Sequence, residues 1–184
     1  MRTITVKRAS FMSSNYSVFL DGEGPAYSAT VRFTWHDPQE IVLHAPSRRS
    51  DDIIHMKPVG TGDRKTGYGE RTEYSVQNWG GEPFGFLGIE GRVNPTIKLM
   101  GADRSEVGVF RQRNAFYSLL RTFLRQVLPN YYICNNQSRI LLTASEIYTP
   151  IICRVKLRVD ETAHGRMEEF AICCGLWVAC TPSF

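Results

Sequence analysis

Residues 170–180 read FAICCGLWVAC, eleven consecutive positions without a charged, amide or hydroxyl side chain, and they follow the acidic lead-in RMEE at 166–169. Ala, Leu, Cys and Trp outnumber the β-branched Ile172 and Val178, and acidic residues suit a helix start, so the segment reads as a helix that is apolar all round. Eleven to thirteen helical residues are roughly 16–20 Å long, whereas a bilayer span needs about 20 apolar residues and about 30 Å. No Lys/Arg cluster follows, and the tail TPSF matches no lipidation box. A helix apolar on every side and too short to span a membrane is buried in protein.

What buries it is read from the rest of the chain. AYSATVRFTW alternates Tyr27, Ala29, Val31, Phe33 and Trp35 on one face with Ser28, Thr30, Arg32 and Thr34 on the other. YSVFLD enters the Gly-rich turn DGEGP before it, and HDPQE reads as a turn into IVLHA after it. TITVKRA, RTEYSVQNW, PFGFLGIEGR, TIKLMGAD, EVGVFRQR, NYYICN, RILLTASEIY and IICRVKLRVDE are further strands. DIIHMKPV, within the polar 46–70 region, carries a Pro that suggests an edge strand. Twelve strands with short connections suit antiparallel neighbours. The expected fold is therefore mainly β, a closed antiparallel barrel of about twelve strands around the apolar helix, because closure buries that helix and removes exposed edges.

One other segment breaks the alternation. In NAFYSLLRTFLRQVLP, Phe116, Leu119, Leu120, Phe123, Leu124 and Val127 fall on one helical face, with Ser118, Arg121, Thr122 and Arg125 on the other; Asn114 suits an N-cap and Pro129 a stop. A surface amphipathic helix is expected there.

The chain has 184 residues, 42% hydrophobic and 22% charged, which fits one domain over 1–184 with a substantial core. MRTITVKRAS has no apolar h-region, so no secretory signal is read, and five cysteines without framework spacing fit buried thiols in a reducing, cytoplasmic setting. The net charge of +4 is too small to argue for nucleic acid. Between Arg92 and Arg125, however, seven basic residues (Arg92, Lys98, Arg104, Arg111, Arg113, Arg121, Arg125) face two acidic ones (Asp103, Glu106), which makes an anionic partner worth testing.

IKLMGADRSEVGVFRQ, FYSLLRTFLRQV, NYYICNNQSRILLTASE and MEEFAICCGLWVAC together resemble the tubby C-terminal-like superfamily, in particular its phospholipid scramblase and LURP-one-related branch. The resemblance covers about residue 83 to the end; upstream it is an order of elements. It implies a twelve-stranded antiparallel barrel threaded by its C-terminal helix, and activities centred on anionic phospholipids or phosphoinositides at membrane surfaces. The chain departs from scramblases in lacking a Pro-rich N-terminal segment, a multi-cysteine cluster within a strand and an acidic calcium loop beside the terminal helix, so calcium-dependent scrambling does not carry over. No N-terminal motif matches the phosphoinositide-binding residues of tubby.

CRVKLRVDE puts Arg154, Lys156 and Arg158 on one strand face, opposite Cys153, Val155, Leu157 and Val159. The row reads either as a solvated face or as a site for a lipid phosphate, since Arg offers bidentate donors to phosphate oxygens. Arg121 and Arg125 carry the same two readings. VGTGDRKTGYGER lacks P-loop spacing and reads as a surface loop whose Arg64 and Lys65 could touch headgroups, with Tyr68 and Trp79 as interfacial aromatics. His36, His44, His55 and His164 are scattered, no G-x-S-x-G elbow occurs, and the cysteines sit at no zinc spacing, so neither enzyme activity, a metal nor a cofactor is expected. The expected function is binding of an anionic phospholipid or membrane surface without a transmembrane span; the alternative is a protein-interaction scaffold. A small ligand inside the barrel conflicts with the helix that would fill it.

Overall fold

The structure is a computed structural model, and it describes residues 2–9, 13–34, 37–45, 48–59, 71–78, 80–90, 96–112, 130–136, 139–148, 153–161 and 166–180. The expected amphipathic helix, with Arg121 and Arg125, lies outside the described residues, as do Trp35, His36, Arg64, Lys65, Tyr68, Trp79 and His164.

Twelve strands follow in chain order: β1 (Arg2–Arg8), β2 (Asn15–Leu20), β3 (Pro25–Thr34), β4 (Asp37–Ala45), β5 (Arg48–Pro58), β6 (Arg71–Asn78), β7 (Pro83–Glu90), β8 (Thr96–Gly101), β9 (Glu106–Gln112), β10 (Asn130–Asn136), β11 (Arg139–Tyr148) and β12 (Cys153–Val159). Each pairs antiparallel with its neighbours in sequence, and β1 pairs with β12 to close the barrel. The helix α1 (Met167–Cys180) ends the described chain, with Glu168 and Glu169 in its first turn.

Two strand readings need correction. HDPQE is not a turn: β4 already runs from Asp37, through a bulge that sets Phe33 opposite Pro38, an irregularity that polar residues do not announce. Nor is β5 an edge. Pro58 is its last residue, opposite Tyr74 of β6, and the bonding to β6 continues past it, Val59 N–H donating to the Glu73 carbonyl at 2.7 Å.

The alternation expected for a barrel wall is clearest in β12, whose residues are buried and exposed in strict turn. Inward side chains such as Ile4, Val6, Leu99, Phe110, Leu142 and Leu157 are essentially inaccessible and form one core with the helix, in which every residue from Phe170 to Cys180 is buried. The helix packs chiefly against β12 and β1. Gly175 permits that approach, since a Cβ there would sit 2.7 Å from Leu157 Cδ1 and 3.1 Å from Val6 Cγ2. At the other end of the helix, Phe170 packs edge-on against Phe84 of β7, 5.8 Å between ring centroids. A Cβ on Gly85 would lie 2.4 Å from the Phe170 ring and 2.6 Å from the Met100 carbonyl. Among the described residues, no helix is long and apolar enough to cross a membrane.

A candidate anion-binding face

Arg154, Lys156 and Arg158 are exposed on the outside of β12, as the alternation requires. Barrel closure decides what stands beside them. On one side β1 sets Lys7 opposite Arg154, Thr5 opposite Lys156 and Thr3 opposite Arg158. On the other, β11 sets Ile147, Ser145 and Thr143 opposite the same three residues. One strand further, Phe19 of β2 stands opposite Thr5, and its ring lies 4.4 Å from Lys7 Nζ. Among the described residues of β10, β11, β12, β1 and β2, no Asp or Glu takes an outward strand position.

A groove of about 300 Å³ opens on this wall, lined by Thr3, Thr5, Lys7, Phe19, Asp21, Gly22, Arg154 and Lys156. Its one carboxylate is positioned by the β2–β3 turn, where Asp21 (φ 50°) and Gly22 (φ 84°) both adopt the left-handed conformation that a tight hairpin needs. That carboxylate is engaged. Thr3 N–H donates to Asp21 Oδ1 at 2.8 Å, and Arg2 Nε lies 3.6 Å from Oδ2. Arg2 also reaches Glu168 of α1, Nη1 to Oε2 at 2.6 Å, tying the helix start to β1. Among the described residues, no ion pair or side-chain hydrogen bond neutralises Arg154, Lys156 or Arg158, and Lys7 faces a like charge across the strand pair.

The cations between Arg92 and Arg125 divide differently. Lys98 pairs with Glu90 at 3.1 Å, and Arg104 pairs with Glu73 at 2.9 Å while stacking 4.5 Å above Phe86. Arg111 is exposed on β9, opposite Ile133. Much of the describable charge in that stretch therefore serves the fold, and the residues brought together are those of the 154–158 row. Sequence reasoning missed Lys7, Thr3 and Thr5. The alternation in TITVKRA held the signal, but only the β1–β12 register makes it part of this face.

The thiols offer no second site. All five cysteines are buried and unpaired by disulfides. Burial pushes Cys134, Cys173 and Cys180 up to about 12 and Cys174 well above its ordinary value, so they stay protonated. Cys153 Sγ donates to the Ala179 carbonyl at 3.6 Å, and the Tyr16 hydroxyl beside Cys180 is likewise raised by burial. Among the described residues, no group of three or more His, Cys, Asp or Glu could hold a metal ion.

Successive outward cations on β12 are about 6.6 Å apart and neighbouring strands about 4.8 Å apart. Lys7, Arg154 and Lys156 thus converge on one patch, with the Thr3 and Thr5 hydroxyls as further donors. Such a patch can hold phosphate oxygens: Arg by bidentate hydrogen bonds and Lys as a point charge. Compared with protein-family models, curated proteins and solved structures, the chain matches none of them.

Proposed function

We propose that this chain is a non-enzymatic, tubby-like barrel of the scramblase and LURP-one-related kind that binds anionic phospholipid or phosphoinositide headgroups. It works as a peripheral protein at a cytoplasmic membrane surface. The observation that carries this reading is the unpaired cation row of Arg154, Lys156 and Arg158, extended by Lys7 across the barrel closure. Like charges directly opposite one another cost stability, so Lys7 beside Arg154 is a feature that a bound anion would relieve. Near an anionic leaflet each Lys or Arg close to the surface contributes about 1 kcal/mol. The closed barrel around a terminal apolar helix supports the family part of the reading, because it is the architecture the resemblance implies.

The test is co-sedimentation with vesicles at low ionic strength. Binding is expected to vesicles containing phosphatidylserine or a phosphoinositide and not to neutral phosphatidylcholine; equal binding to both, or binding to neither, refutes the proposal.

A further inference from the structure

Four large apolar side chains are strongly exposed among the described residues: Val59, Tyr131, Ile140 and Ile147. Two of them adjoin the cation row. Tyr131 stands opposite Ser145, and Ile147 is the next outward residue of β11, which makes the two diagonal neighbours across the β10–β11 pair. Ile147 in turn stands opposite Arg154, and Arg154 opposite Lys7. The rung Ile147, Arg154, Lys7 with Tyr131 beside it lies at one end of the barrel, where β11 and β1 finish and β10 and β12 begin. Ile140, exposed to the same degree, is near the opposite end of β11, roughly 23 Å away at strand rise.

An exposed aromatic and an exposed aliphatic side chain beside unpaired cations have the composition of a contact with the bilayer interface, where phosphates take the cations and the acyl boundary takes the apolar groups. A protein partner fits less well. Stable protein interfaces bury about 1,600 Å² and need a shaped apolar centre, whereas two side chains suffice to anchor a barrel already held by charge.

Resting on the lipid reading above, we infer that the barrel docks on an anionic bilayer end-on, with Tyr131 and Ile147 inserted at the interface and Lys7 and Arg154 on the phosphates. Lys156 and Arg158 then stand progressively further from the surface. Binding so built has an electrostatic part that salt screens and an apolar part that salt leaves in place.

The experiment measures vesicle binding of the full chain at low salt and again at about 1 M, where the Debye length is about 3 Å. It uses phosphatidylserine-containing vesicles and the wild type, Tyr131→Ser/Ile147→Ser, Ile140→Ser and Arg154→Glu/Lys156→Glu, each with a thermal melt to confirm folding. The wild type is expected to keep measurable binding at high salt, and Ile140→Ser to match it. Tyr131→Ser/Ile147→Ser should bind at low salt but lose about tenfold or more of the high-salt affinity. If that double variant equals the wild type at both salts, or if Ile140→Ser falls as far, the docking inference is overturned while the lipid reading stands. If Arg154→Glu/Lys156→Glu binds as well as the wild type at low salt, the lipid reading itself fails. Wild-type capture by a protein partner with no vesicle binding overturns both.

Discussion

The two sides of the barrel treat positive charge in opposite ways. On the side running from β3 to β8, the cations whose side chains are described stand against carboxylates. Glu40 gathers Arg32 at 3.3 Å and Lys57 at 3.7 Å, Glu90 takes Lys98, and Glu73 takes Arg104. On the β12 and β1 side, Arg154, Lys156, Arg158 and Lys7 have hydroxyl and apolar neighbours and no carboxylate at an outward strand position, and the groove's Asp21 is engaged by Arg2 and the Thr3 N–H. The difference is one of partners: these cations on the first side are spent within the fold, and the 154–158 row with Lys7 on the second is left for something outside it. The inside of that second wall is also where the helix packs most closely, through Gly175 on Leu157 and Val6. One pair of strands therefore holds the core helix and presents the candidate site.

The largest expected effect removes the helix that both walls share. A chain ending before Phe170 loses the buried Phe170, Ile172, Leu176, Trp177 and Val178. At about 1.5–3 kcal/mol each their sum is on the order of 10 kcal/mol, comparable with the whole stability of a typical domain. No cooperative thermal transition should survive; a folded truncation product would separate the helix from both walls.

Next in size, the walls should respond unequally to one added methyl group. At Gly85 the new Cβ meets the Met100 carbonyl and the Phe170 ring, and backbone cannot move aside, so Gly85→Ala should cost about 1–3 kcal/mol. At Gly175 it meets the ends of the Leu157 and Val6 side chains, which can shift, and Ala regains about 1 kcal/mol of helix propensity, so Gly175→Ala should be much milder. Urea midpoints of the two variants settle the ranking.

The buried thiols probe the shared interior by pH. Cys134, Cys173 and Cys180 are raised from 9.0 to about 12 because the fold favours their neutral form. Their stabilisation is complete below about pH 9, the unfolded thiol's range, and is lost as pH rises toward 12, so each should cost about 1 kcal/mol by pH 10. Urea midpoints at pH 8 and pH 10 check the sign, and native protein at pH 8 should leave all five thiols unreactive.

The smallest effect belongs to the unpaired wall alone. Arg154→Glu replaces a like-charge pair with Lys7 by an opposite-charge pair, and stability at low salt should rise by about 0.2–1 kcal/mol. Vesicle binding should fall in the same variant. A decrease in stability would mean that Arg154 already has a favourable environment in the folded protein.

Much of this was legible in the sequence. Period-2 runs such as AYSATVRFTW and CRVKLRV announce strands because one face of each is buried, and the all-apolar FAICCGLWVAC announces an enclosed helix because nothing else satisfies it in so short a length. The start of β4 was not legible, since a bulge admits polar residues into a strand without alternation. The site was half legible. Arg154, Lys156 and Arg158 follow from periodicity on one strand, but Lys7 and Thr5 join them through pairing between residues about 150 positions apart, which local pattern does not encode. In the same way, the pairing of Lys98 and Arg104 with Glu90 and Glu73 is set by register and turn geometry, so the charge count over 92–125 overstated what is free.

The most direct test of the central claim swaps charge on one wall at a time. Vesicle co-sedimentation at low salt would compare Arg154→Glu/Lys156→Glu/Arg158→Glu with Arg32→Glu/Lys57→Glu, changes on the unpaired and the paired side. The account expects the first variant to lose binding to phosphatidylserine-containing vesicles and the second to keep it. Equal loss in both, or loss only in the second, would contradict it.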